Sequence, residues 1–564
     1  MTTGSYREIA AYLPTPAGVM AAHLYLGRHV IRTLVILPPP MEERKASHPA
    51  LTALSRRLAA EGCAVLRVDP KDSGDAPGGF ENFTLAAASA TLQEAARALR
   101  QLAPGAPQTW LGVRASATLV MRAAGTAEPA ARPDALILWE PIAGDDFLRQ
   151  LQQRRLVNEM VAYGKARLGR EAVEAQLAGG QSVDFDGYPL SAALYRELQE
   201  LRPAPWEGPL LLVTTGPDRR AADACGRLAP AATRVALHLP PFWNTVGRVD
   251  TRELEAATAA WLEQHGGQAP TDQAQQAKDA AAAWPAPVPN GTERMVEIPA
   301  GAATLRGVLH TAESAPAGRI LFLPGWSGDR TGPHRMFVHA ARRLSAQGFT
   351  CLRIDYRGRG DSDDAAATIA SMTADAAAAL DWLRTAAPAG GPLLLAAICS
   401  GCKVAIGVAA QTPDVARLVL WSPESMGSLR AAATGWRKRL AALRTYGRKL
   451  LRPETWRKLL RGQVRSGMVL SALAPSEVRS AEEARAEDRT LAAFRSFRGP
   501  ILAVFGGSDP DAPGSAAAYE RFCAAHGIPL TRHTVPHAGH SYYGRAWEDE
   551  VLRTTAAWLD QTAG

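Results

Sequence analysis

The sequence predicts an α/β fold built twice: two tandem domains, each with a mostly parallel central sheet, helices on both faces and a helical cap insertion. Three observations point there. At 564 residues and 47% hydrophobic composition, the chain is longer than one core organises and apolar enough for each half to bury its own. Landmarks of the first half return in the same order about 290 residues later, a period far too long for a solenoid unit. Short apolar runs alternate with Ala-, Arg- and Leu-rich helical stretches, as expected of strands covered by crossover helices.

In the first half, Leu34-Val35-Ile36-Leu37 is an early buried strand and Val65-Leu66-Arg67-Val68-Asp69 the next, ending in the turn Pro70 to Asp75. Trp110 to Ala117 carries a strand into a helix, and Leu136-Ile137-Leu138-Trp139 is a strand followed by an insertion over about 145–205. Gly208 to Val213 resumes the sheet, and Ala259-Ala260-Trp261-Leu262-Glu263 closes the half on a helix. The counterparts are Ile320-Leu321-Phe322-Leu323, Cys351 to Asp361, Leu395 to Gly401, Leu418-Val419-Leu420-Trp421, Gly499 to Val504 and Ala556-Ala557-Trp558-Leu559-Asp560. A second insertion falls at about 427–497. The stretch 266–290, rich in Ala, Gln and Pro, reads as a linker between domains 1–265 and 291–564.

Composition excludes several classes. The start, Met1 to Glu8, lacks the order of a secretory signal, and no apolar run is long enough to cross a bilayer, so a cytoplasmic protein is expected. Six scattered cysteines indicate reduced thiols; Cys399 and Cys402 form a C-x-x-C, but no thioredoxin-like unit surrounds it. The net charge of +8 is concentrated between Arg430 and Arg465, where the basic excess is larger than that of the whole chain. No nucleic-acid-binding signature accompanies it. Apolar residues such as Leu440, Leu443, Leu450, Leu459 and Leu460 recur among those charges, giving a basic helical cap. It is either a solvated helix surface or a docking face for an anionic partner: an acyl carrier protein, coenzyme A or, with less support, a membrane surface.

The chemistry centres on Leu395-Ala396-Ala397-Ile398-Cys399-Ser400-Gly401. A nucleophile on a sharp strand-to-helix turn needs small residues two positions to either side. Centred on Cys399 these are Ala397 and Gly401; centred on Ser400 they would be Ile398 and Cys402, and a β-branched residue would clash. Cys399 is therefore the expected nucleophile. His540, in a loop after a late strand, is the expected base, and Asp509, one strand earlier, the carboxylate that orients it. Backbone N–H groups of Ser400 and Trp326 are the expected oxyanion donors. His533, His537 and His540 superficially suit a metal, but one falls in a strand and two in a loop with no Cys or Asp cluster, so no metal and no cofactor is expected.

In the first half, Arg114 stands at the nucleophile position, Asp218 keeps the acid position and Asn244 replaces the base. Acyl chemistry there is excluded, leaving either a silent scaffold, with Arg114 paired to Asp218 or Glu42, or a grip for a carboxylate or phosphate.

The residues resemble a known set. The first half, through Pro40 to Ser47, Asp69 to Asp75, Gly112-Val113-Arg114 and Pro241-Phe242-Trp243, resembles one of the exosortase A system-associated hydrolases. The second, through Arg330 to Val338, Asp355-Tyr356-Arg357-Gly358, Ile398-Cys399 and Leu451 to Leu460, resembles the other. The resemblance implies two tandem α/β-hydrolase domains of the serine aminopeptidase S33-like kind, in a bacterial protein, the first degenerate. This chain departs from the pattern in fusing both and in Ser400-Gly401-Cys402-Lys403, where an acidic residue is frequent. The expected activity is that of an acyl hydrolase or acyltransferase on a thioester or activated ester. The alternatives are a non-catalytic scaffold recruiting an acidic partner, and dienelactone-type lactone opening.

Overall fold

The structure, a computed structural model, describes residues 6–16, 18–216, 219–245, 247–265, 293–311, 317–386, 390–429 and 481–562. The expected linker lies outside these, and so does the basic run 430–465 of the second cap.

Each half is built on an eight-stranded sheet. In the first, β1 (Tyr6–Thr15), β2 (Gly18–Gly27), β3 (Arg32–Leu37), β4 (Cys63–Asp69), β5 (Gln108–Val113), β6 (Ala135–Trp139), β9 (Leu210–Thr214) and β10 (Thr233–Ala236) lie in the order β1-β2-β4-β3-β5-β6-β9-β10. The β1–β2 and β2–β4 pairings are antiparallel and all others parallel. The short hairpin β7 (Val183–Phe185) and β8 (Tyr188–Leu190) stands apart. The second half repeats the plan with β11 (Glu293–Ala300), β12 (Ala303–His310), β13 (Gly318–Leu323), β14 (Phe349–Ile354), β15 (Leu393–Ile398), β16 (Val415–Trp421), β17 (Ile501–Gly506) and β18 (Leu530–Val535), ordered β11-β12-β14-β13-β15-β16-β17-β18. Again only the first two pairings are antiparallel.

Alternation of side chains along the strands makes two cores per sheet. In β3, Val35 and Leu37 face Leu92 and Ala96, whereas Leu34 and Ile36 face Leu51 and Leu54. In β13, Leu321 and Leu323 face Ala376 and Leu380, whereas Ile320 and Phe322 face Phe337 and Trp558. Helices thus cover both faces, as the apolar runs predict. The first insertion is not purely helical: it holds the helices Gly144–Tyr163, Arg170–Ala178 and Ala192–Gln199 together with the β7–β8 hairpin. Among the described residues, no helix is long and apolar enough to cross a membrane.

The halves meet through buried charges exchanged in a two-fold-like manner. Arg67, on β4, pairs with Asp361 of the second half; Arg353, at the matching place on β14, reaches Asp75 of the first at 2.8 Å. Within each half the turn is fixed alike, Asp75 N–H donating to Asp69 and Asp361 N–H to Asp355. Arg330 spans the seam, 2.8 Å from both Asp75 and Asp361, and also holds Asp355. All of these side chains are essentially excluded from solvent. Burial pushes Asp75 and Asp361 up, but the guanidinium groups outweigh it and leave both carboxyls well below the usual range. Burial drives His23 and His310 down to about 3, so both imidazoles are neutral beside Arg330 and Arg353 respectively.

Candidate active site

The C-terminal ends of β15, β16 and β17 bring the site together, where a parallel sheet presents its loops. Cys399 follows β15 directly and precedes the helix Gly401–Ala409. Its φ is 58°, a left-handed conformation that a non-glycine residue avoids, while Ser400 at −64° is already helical. The turn is therefore centred on the cysteine. Gly401 is required by contact: a Cβ there would lie 2.4 Å from Leu323 O and 2.5 Å from Pro324 O. Arg114 holds the same conformation in the first half, also with φ 58°.

Asp509 follows β17 and His540 lies in the loop after β18. His540 Nδ1 is 2.7 Å from Asp509 Oδ2, with the carboxylate buried and the imidazole about one-third exposed. Cys399 Sγ, a carboxylate oxygen of Glu424 and a ring nitrogen of His540 lie within 4.8 Å of one another. Burial alone would lower His540; hydrogen bonding to Asp509 and to Cys399, with the charges of both, overrides it and raises the imidazole to about 10. Since this lies above the ordinary value near 6.5, the stability the imidazolium contributes is complete below about pH 6.5 and is lost as pH rises through about 10. Replacing His540 by Gln is expected to narrow the difference in melting temperature between pH 6 and about pH 10.5; an unchanged difference would contradict the shift.

Glu424, just past β16, was not singled out from the sequence. Cys399 Sγ donates to its Oε1 at 3.2 Å, and Oε2 lies 2.8 Å from Nζ of Lys403, which is buried on the helix after the nucleophile. Burial raises Glu424, and Lys403, then Cys399 and His540, bring it below the usual range. The available signal was positional: a carboxylate at the end of the strand neighbouring β15 shares its edge of the sheet. Three convergent donors could hold a cation, but the Lys403 ammonium already neutralises Glu424 and opposes one.

The expected oxyanion donors occupy one corner. Trp326 is exposed in the loop after β13, and its N–H donates to Ser400 Oγ at 2.7 Å. In this arrangement the Trp326 N–H is engaged, and an oxyanion would reach it only as the Ser400 hydroxyl turns away. His533 lies in β18 against Glu550, and His537 packs at a tilt against the Tyr163 ring; neither converges with His540 on a common point.

In the first half, Arg114 is buried and pairs with Glu43, its Nε and Nη2 each 3.3 Å from a carboxylate oxygen, rather than with the adjacent Glu42. The sequence could not separate Glu42 from Glu43, which adjoin at a helix start and meet different partners. Nη2 also donates to Gln150 at 2.7 Å, and the guanidinium lies 4.7 Å above the Trp243 ring. The fork is filled by the protein's own groups. Asn244 is exposed on the wall of the cleft beside the site, and Asp218 lies outside the described residues. Ser116 donates to Pro38 O at 2.7 Å.

The cleft, about 2760 Å³, is lined from both halves, by Glu42, Asn158 and Trp243 as well as Trp326, Cys399 and Glu424.

Residues 320–554 match the Alpha/beta hydrolase family. Among solved structures, the chain is similar to a dienelactone hydrolase from Anabaena variabilis (16% identity, 48% of this chain and 97% of that one, TM-score 0.31). It is similar also to an esterase of Pyrococcus furiosus (18%, 48% and 92%, TM-score 0.34) and to an alpha-beta serine hydrolase homologue from Coxiella burnetii (15%, 47% and 98%, TM-score 0.32). No curated protein matches the sequence.

Proposed function

We propose that the C-terminal half is an acyl hydrolase or acyltransferase using Cys399, His540 and Asp509, on a thioester or activated ester, and that the N-terminal half is a pseudoenzyme. The supporting observation is the placement of one sulfur at a left-handed strand-to-helix turn, beside an imidazole whose Nδ1 is held by a buried carboxylate. With Nδ1 bound to Asp509, the other ring nitrogen is left for proton transfer. With the thiol proton already held on the imidazole, the sulfur attacks the carbonyl carbon, and the tetrahedral intermediate collapses as His540 protonates the leaving thiol or alcohol. Water, or another acceptor, then attacks the acyl-enzyme with His540 as base. A thiol nucleophile suits a thioester donor because exchange between the two is nearly balanced in energy.

Rapid quenching after mixing with p-nitrophenyl butyrate or butyryl-coenzyme A is expected to show a butyryl adduct on Cys399 by intact mass and peptide mapping. In wild type the adduct turns over. Absence of an adduct with every activated donor would favour a scaffold role, and selective turnover of cyclic esters would favour lactone opening.

A further inference from the structure

The loops that carry the acid and the base are held by the other half of the chain. Glu42 opens the helix Glu42–Ala60 in the loop that corresponds, by the internal repeat, to the Trp326 loop of the second half. Its Oε1 accepts from the Tyr543 hydroxyl at 2.8 Å, three residues beyond His540, and its Oε2 from His334 N–H at 3.3 Å and the Tyr188 hydroxyl at 3.2 Å. The His334 ring in turn lies 3.4 Å from the carbonyl of Ser541, the residue after the base. Asp184, in the first half's hairpin, accepts from Arg545 N–H at 2.7 Å, where a carboxylate meets the N-terminus of the helix Arg545–Gln561. On the acid side, Ser508, the neighbour of Asp509, donates to Ala162 O at 3.0 Å. The seam is tight: a Cβ on Gly187, which has φ +89°, would lie 2.5 Å from the His334 ring.

We infer that the first half serves the second as a positioning subunit, with Glu42, through Tyr543 and His334, setting the place of His540 relative to Cys399. The inference rests on the Cys399–His540–Asp509 reading of the site. In this view the loop equivalent to the oxyanion loop has exchanged one task for another. Glu43 closes its own site over Arg114, and the adjacent Glu42 clamps the base-bearing loop across the seam. Glu42 and Tyr543 are positioning residues, since they act on the chemistry only through His540.

Alkylation of Cys399 by iodoacetamide, in which the sulfur displaces iodide, reads this without knowledge of the natural substrate. The other five cysteines are buried, and Cys399→Ser supplies the background. Rates would be measured across about pH 5–9 for wild type, His540→Ala, Glu42→Ala, Glu42→Gln, Tyr543→Phe and the Glu42→Ala/Tyr543→Phe double variant. His540→Ala should slow the reaction at low pH. Glu42→Ala and Tyr543→Phe should each slow it about tenfold, the double variant no more than either, and Glu42→Gln, which keeps a carbonyl acceptor for the hydroxyl, should recover part of the rate. Tyr543→Phe retains the ring and so keeps the test open should Glu42→Ala fold poorly. If His540→Ala is slow while Tyr543→Phe and Glu42→Gln match wild type, the positioning role is overturned with the triad intact. If His540→Ala itself matches wild type, the triad reading fails and the positioning role fails with it.

Discussion

Alanine at Cys399 is expected to lower kcat/KM for p-nitrophenyl butyrate by about three to five orders of magnitude, with the melting temperature nearly unchanged. The size follows from the loss of the covalent route: without the sulfur, only binding and any polarisation of the carbonyl remain, and these do not supply a nucleophile. Serine at the same position separates two contributions. It preserves the turn and the room beside Gly325 but offers a hydroxyl, which must surrender its proton during attack, to an imidazole that the Asp509 bond still favours in its protonated form. The serine variant should therefore remain far below wild type near neutral pH. Retention of a tenth of the wild-type activity by the alanine variant would move the chemistry away from Cys399.

Asp361→Ala is expected to destabilise the whole chain by about 3–5 kcal/mol, because it strands buried positive charge on both sides of the seam. The carboxylate accepts from Arg67, from Arg330 at 2.8 Å and from the Tyr25 hydroxyl at 3.1 Å, with His48 3.0 Å away. An exposed pair across the same seam provides the contrast. Arg248 and Asp364 are 2.7 Å apart but each side chain is about half exposed, so Asp364→Ala should change stability by no more than about 1 kcal/mol. Urea midpoints of the two variants against wild type would decide it. Equal shifts would mean that the buried cluster is no more than a set of surface-like pairs.

Much of the architecture was legible because it is written locally. The apolar runs at Leu34 to Leu37 and Ile320 to Leu323 carry their own burial on both faces, and the repeat announces that one plan is used twice. The turn at Cys399 was legible for the same reason, since Ala397 and Gly401 are small where backbone approaches backbone. What the sequence could not disclose depends on residues hundreds of positions apart. Nothing beside Asp75 signals that Arg330 and Arg353 will reach it, and nothing beside Tyr543 signals Glu42. Neighbouring residues of like chemistry posed the same difficulty on a smaller scale. Only the direction in which the Glu42–Ala60 helix enters decides that Glu43 meets Arg114 and Glu42 does not. The hairpin at Val183 to Leu190 escaped notice because two strands of three residues carry too little periodicity to be seen. Glu424 escaped because its relevance arises from a neighbouring strand.

The reciprocal exchange of Arg67 and Arg353 with Asp361 and Asp75 makes the molecule an isologous dimer in all but covalent continuity. A fragment trimmed to the half that bears Cys399 would present Arg330 and Arg353 to water without the first half's counter-charges, together with the apolar surface that now surrounds them. The shape of the N-terminal half is therefore tied to the charges it supplies across the seam, whatever chemistry it carries.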